Sequence, residues 1–173
     1  MNLIFRMLRL LLRRNKLPII SPLETVYTQI RVWPLDCDFN LHLTNSRYPS
    51  LLDLARTKYL MQLNSLPLLF SGKWKSVLSS QTISFIKEIK PFEAVEITTR
   101  VLSWDRKYCY IEHRFLVNNK VHAKALARVA FIKGKRVRSF DKFLAEVDEN
   151  NVIESPNQPE QVTAWQQLLV ANK

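Results

Sequence analysis

Three kinds of hydrophobic spacing follow one another along the chain. In residues 1–20, Ile4, Leu8, Leu11 and Leu12 fall roughly opposite Arg6, Arg9 and Arg13. This pattern predicts a basic amphipathic helix, ended by Pro18 and Pro22. Thr25–Trp33 then alternates with β-branched and aromatic residues and predicts a strand stopped by Pro34. Tyr48, Leu51, Leu52, Ala55, Tyr59 and Leu63 recur at helical spacing, so a helix is expected over about 46–63. Asn45 or Ser46 supplies its N-cap, and Pro49 is tolerated in a first turn whose N–H groups lack intrahelical partners. Leu54 and Leu60 widen the apolar surface, so this helix should be buried on most sides. A loop with Pro67 and Gly72 follows, carrying a helical turn around Leu66–Phe70.

The rest, to about Arg138, is strand-like. Ser76–Ile89, Ala94–Ser103, Tyr108–Val117 and Val121–Lys133 are four long β-branched and aromatic segments, and Val137 begins a short last strand. Asn118-Asn119 reads as a tight hairpin turn, because Asn tolerates positive φ. Phe140–Val147 and Pro159–Val170 are expected to be terminal helices. The economical α+β arrangement is an antiparallel sheet wrapped around one long central helix. The expected divisions are a basic segment and linker over 1–22, a main domain over 23–140 and a helical extension over 141–173.

Composition narrows the chemistry. At 173 residues the chain suits one core, and its average apolar and charged fractions exclude wholesale disorder. Two cysteines and three histidines leave little room for a disulfide framework or a multi-ligand metal centre, so no metal or cofactor is expected. Two glycines are too few for a dinucleotide fingerprint or a P-loop. Five of the eleven excess positive charges fall on Arg6, Arg9, Arg13, Arg14 and Lys16. That concentration, with no recognition motif, argues against nucleic acid and for peripheral contact of residues 1–16 with an anionic membrane. The apolar run is too broken to span a bilayer or to serve as a signal peptide. The expected location is the cytoplasm, with membrane association through this segment.

Between strand and helix lies Asp36-Cys37-Asp38-Phe39-Asn40-Leu41-His42, in which every second residue is polar. Such spacing beside a buried helix calls for hydrogen-bonded or chemically used side chains. Unpaired N–H groups and partial positive charge at the helix start suit a developing oxyanion, with Asn45, Ser46 and Arg47 as candidate donors. A carboxylate there could attack a carbonyl or activate water, and a histidine could shuttle a proton. Asp36 reads more plainly as a cap for backbone N–H groups, Cys37 as a packed thiol, and His113 and His122 as structural.

The residues Asp38, Asn40, His42, Asn45 and Tyr48, as D-x-N-x-H-x-x-N-x-x-Y, resemble the signature of hotdog-fold thioesterases. Phe85–Phe92, Trp104-Asp105 and Tyr108–Phe115 are similar to the thioesterase superfamily member six subgroup. The resemblance covers roughly residues 25–140 and implies a hotdog domain that pairs into a homodimer or a dimer of dimers, with active sites at the subunit boundary. It implies hydrolysis of acyl-CoA or acyl-carrier-protein thioesters, and hence a place in lipid metabolism. Asp38 would be general base or nucleophile, with Asn40 and His42 in support. Thr44 departs from the family's usual Asn-Asn pair. Tyr48 would contact substrate, and the basic cluster Lys133, Lys135 and Arg136 would hold coenzyme A phosphates or an acidic carrier. The rival readings are an acyl-binding module without turnover and a hotdog dehydratase or hydratase.

Overall fold

The computed structural model describes residues 3–149 and 153–171. Helix α1 (Leu3–Leu12) leads by a linker into strand β1 (Val26–Arg31), and helix α2 (Arg47–Gln62) follows the polar loop. A short helix α3 (Leu66–Phe70) opens onto β2 (Trp74–Phe85), β3 (Ala94–Trp104), β4 (Tyr108–Val117), β5 (Lys120–Lys133) and β6 (Arg136–Arg138). Helices α4 (Phe140–Val147) and α5 (Glu160–Ala171) complete the order.

The strands form one antiparallel sheet in the order β1-β3-β4-β5-β2, with β6 pairing the end of β5. Two-residue turns set its register. Asn118 and Asn119 hold φ of 49° and 60° between β4 and β5, and Gly134, at 61°, helps turn β5 into β6. Both are positive-φ positions that Asn and Gly occupy at low cost. The sheet curls around α2, whose buried residues include Tyr48, Leu51, Leu52, Leu54, Ala55, Tyr59 and Met61. Residues three and four apart lie on one helix face, so this spread engages more than one face, as a helix enclosed by a sheet requires. The first half of α2 packs with Ile97, Phe115 and Ala125, and its last turns with Trp104, Phe131 and Phe140. Phe143 and Leu144 of α4 join this second cluster, while Val162 and Trp165 of α5 pack on Leu102 and Tyr110.

Two boundaries differ from the periodicity. Strand β2 ends at Phe85, although its apolar pattern continues to Ile89. The N–H groups of Ile86 and Lys87 both donate to the His122 carbonyl, which pulls the chain off the ladder beside a bulge in β5. Strand β1 ends at Arg31 because Val32 instead exchanges backbone bonds with Glu93 and Phe92. Arg6 is the third difference. Unlike the exposed Arg9 and Arg13, it is buried in an ion pair with Asp36, so it is not part of a solvent-facing basic stripe.

Candidate active site

The loop before α2 is a small closed hairpin. Cys37 pairs with Leu43, and the Leu43 N–H donates to the Ile89 carbonyl at 2.7 Å. The chain reverses between Asp38 and Leu41, which takes a φ of 59°. Asp38 stabilises that reversal: its Oδ1 accepts the N–H groups of Asn40 at 2.9 Å and His42 at 3.4 Å. This Asx-type turn orients the carboxylate and leaves Oδ2 without a bond in the loop. Asp38 and Asn40 are exposed, and His42 is half-buried. The His42 Nε2 lies 3.2 Å from Glu88, whose other oxygen is 3.2 Å from Lys90. Hydrogen bonding and charge from Lys90, with help from His42, hold the Glu88 carboxyl below its ordinary range.

Asp36 braces the loop from within, with its Oδ1 4.0 Å from the Arg47 Nε. It is buried, ion-paired with Arg6, and accepts the Trp33 N–H at 3.0 Å. Its role is to fasten α1 and the loop entrance, close to the plain capping role expected of it. Arg47 donates its N–H to the Thr44 carbonyl at 2.8 Å and its side chain to the Leu35 carbonyl at 3.2 Å. Arg47 is therefore engaged, while the N–H groups of Asn45 and Ser46 have no acceptor among the described residues. Those two donors lie just ahead of the helix, where its dipole favours negative charge.

Tyr48 is a core residue. Its ring sits 4.9 Å from Phe85 and 4.8 Å from Phe115, and burial pushes its hydroxyl up to about 12. Cys37 and Cys109 are free thiols with raised pKa, chiefly from burial, which disfavours the thiolate that a nucleophile needs. His113 is buried against Thr99, and the His122 Nδ1–H donates to the Glu88 carbonyl at 2.7 Å. Among the described residues, no group of three His, Cys, Asp or Glu is placed to hold a metal ion.

Lys133, Lys135 and Arg136 are not beside Asp38 within one chain. Lys133 pairs with Glu146 at the Trp74 end of the β2–β5 ladder, and Lys135 and Arg136 are exposed at the next turn. The loop joins the opposite end, where Phe85 faces Ala123. Those ends are ten residues apart on β5, roughly 33 Å along an extended strand. At the Trp74 end lies a mainly apolar cavity of about 600 Å³, lined by Tyr59, Leu60, Leu69, Phe70, Trp74 and Phe131 among others. Arg56 forms part of its wall and pairs with Asp53, while the Arg56 Nη1 is buried without a partner.

Glu88, Arg6 and Arg56 are site-related residues that periodicity does not reveal. Glu88 lies 46 positions from His42 and carries no motif of its own. For Arg6, the only usable sign is its place on the helix flank, and for Arg56 the Asp53 three residues before it.

Comparison with known proteins places the fold. Residues 32–166 match the model of the thioesterase-like superfamily. Protein THEM6 of Xenopus laevis is 34% identical over 86% of this chain and 70% of its own length. The probable thioesterase YBR096W of Saccharomyces cerevisiae is 31% identical over 53% of this chain, which spans only 41% of that protein. Among solved structures, the probable thioesterase YbaW of Escherichia coli superposes with a TM-score of 0.64 at 21% identity, covering 73% of this chain and 98% of that one. A Thermus thermophilus thioesterase solved with coenzyme A and zinc gives 0.62 at 23%, covering 76% and 95%. The fold is a hotdog, and this chain belongs to the thioesterase-like superfamily.

Proposed function

We propose that this chain hydrolyses acyl thioesters of coenzyme A or an acyl carrier protein, working as a homodimer. The observation that carries the reading is the Asp38 carboxylate, anchored through Oδ1 by its own turn, with Oδ2 available beside the start of a buried helix. In this role Oδ2 takes a proton from water as the water oxygen bonds to the thioester carbonyl carbon. The resulting oxyanion is stabilised by the N–H groups of Asn45 and Ser46. When the carbon–sulfur bond breaks, the proton held by Asp38 passes to the leaving thiolate, giving free acid and thiol. Glu88 orients His42, which with Asn40 positions the water and the substrate.

An incomplete site supports the dimer. Asp38 is exposed in the single chain, and it lines neither the 600 Å³ cavity nor the groove along β1. Strand β2 offers a twelve-residue outer edge whose backbone groups need a partner. A two-fold axis near the middle of β2 would run two such edges antiparallel. Each Phe85 end, with its Asp38 loop, would then lie beside the partner's Trp74 end, with its cavity and basic turn. The acyl chain would occupy that cavity, and Lys135 and Arg136 would meet the phosphates.

The test is thiol release from a panel of acyl-CoA and acyl-carrier-protein chain lengths. Asp38→Asn should lower turnover about a hundredfold to ten-thousandfold with the dimer intact. Binding of acyl-CoA without thiol release from any chain would favour the acyl-binding module. Hydration of an enoyl thioester without release would favour the hydratase.

A further inference from the structure

The linkage of α1 to the body leaves a second feature that the hydrolase reading does not use. Arg6 faces inward to Asp36 and the Arg31 carbonyl, which fixes the helix's rotation. Ile4, Phe5, Leu8 and Leu12 consequently face outward, between 50% and 78% exposed. At 100° per residue these four lie within a third of the helix circumference, opposite Arg6 and Leu10. Four large apolar side chains on one outward stripe are more than a water-facing helix needs.

On the side of α1 that carries Arg6 and Leu10, across the helix from that stripe, α1 and β1 border a groove of about 910 Å³. Arg9 and Arg13 line it from the helix, Arg31 from β1 and Lys58 from α2. None of these four cations is ion-paired with a carboxylate among the described residues, and Glu96 is the single acidic residue of the lining. Tyr27 and Trp33 stand at the same groove, 54% and 40% exposed, and such amphipathic rings favour a membrane–water boundary. No helix among the described residues is long and apolar enough to cross a membrane. The apolar stripe therefore fits a bilayer surface, and the groove fits a phosphate at headgroup depth.

We propose that the groove between α1 and β1 seats the phosphate-bearing headgroup of an anionic phospholipid while Ile4, Phe5, Leu8 and Leu12 enter the bilayer. The proposal goes beyond thioester hydrolysis and does not depend on it. Clamped by Arg6, the helix holds the domain at a set orientation to the membrane, with β1 facing the headgroups.

Co-sedimentation of the full chain with vesicles tests it. Phosphatidylcholine vesicles containing phosphatidylserine should bind the protein, phosphatidylcholine alone should bind it at least about tenfold more weakly, and added salt should weaken the anionic binding. Leu8→Glu should abolish sedimentation. Arg31→Gln and Lys58→Ala are the deciding variants, because they remove groove charge without touching α1. Each should weaken binding roughly fivefold. Thermal unfolding checks that each variant is folded. If both bind like the unaltered chain while Leu8→Glu does not, the helix acts alone and the groove is no headgroup site. Equal binding to neutral and anionic vesicles, or none to either, overturns the proposal. Glycerol phosphate binding as tightly without vesicles as the vesicles themselves would assign the groove to a free phosphate compound instead.

Discussion

The two ends of the β2–β5 ladder make a useful contrast. At the Phe85 end sit an exposed carboxylate, a histidine–carboxylate pair and free helix-start donors. At the Trp74 end sit an apolar cavity and a basic turn. One end has reactive groups, and the other has room for a chain. In the proposed function, groups that activate water have to remain reachable by it, whereas an acyl slot has to exclude it, so the two stay apart within one chain and meet across the dimer. A single copy of this fold, in the proposed function, carries two complementary half-sites.

Subunit mixing is the strongest way to break that contrast. Asp38→Asn removes the carboxylate, and Leu69→Trp fills the cavity by overpacking. Each variant alone should lose at least about a hundredfold in thiol release. After the two are unfolded and refolded together, half-sites in trans predict recovery of about a quarter of the normal activity, from mixed dimers with one sound site. No recovery, with mixed dimers demonstrated by mass spectrometry, would place carboxylate and cavity in the same chain.

The entrance to the Phe85 end is sharpened by Asp36→Ala, which leaves Arg6 buried without its counter-charge. A buried pair broken on one side typically costs about 3–5 kcal/mol, readable as a shift in the urea midpoint. A loss under about 1 kcal/mol would mean that α1 lifts away before the body unfolds. Glu88→Gln should act more weakly, lowering turnover about tenfold through a less well oriented His42 while leaving unfolding unchanged.

The same contrast explains what could be read from the sequence. Helix α2 spans 47–62 against an expected 46–63, because an enclosed helix must repeat apolar residues at its own period. The Asn118-Asn119 turn was equally legible, since positive φ restricts which residues can occupy it. Asp38 stood out because its alternation with apolar neighbours has no packing rationale. Glu88, by contrast, is an ordinary acid in a charged turn, and only the closed sheet brings it to His42. Arg6 was misplaced because helical angle alone does not distinguish a flank facing solvent from one facing a buried Asp36. Tyr48, matched by motif spacing to a substrate contact, is held by Phe85 and Phe115, and rings at such distances are core packing.

A separate effect, on stability alone, lies beneath α2, between the two ends. His113 is fully buried, with Nδ1 2.9 Å from the Thr99 hydroxyl, and burial, with a smaller contribution from Arg56, holds its pKa well below the ordinary 6.5. In the folded chain it stays neutral where the unfolded chain takes up a proton. Above about pH 6.5 both states are neutral at this residue, and it adds no pH dependence. As pH falls below 6.5, only the unfolded state gains the proton, so stability declines, by up to about 1.4 kcal/mol per pH unit. His113→Leu removes that proton uptake. Its urea-derived stability should therefore fall less between about pH 6.5 and pH 5 than that of the unaltered chain, whatever its absolute value. Parallel curves over that range would show that the imidazole is protonated in the fold, with Arg56 turned away and water admitted beneath the central helix.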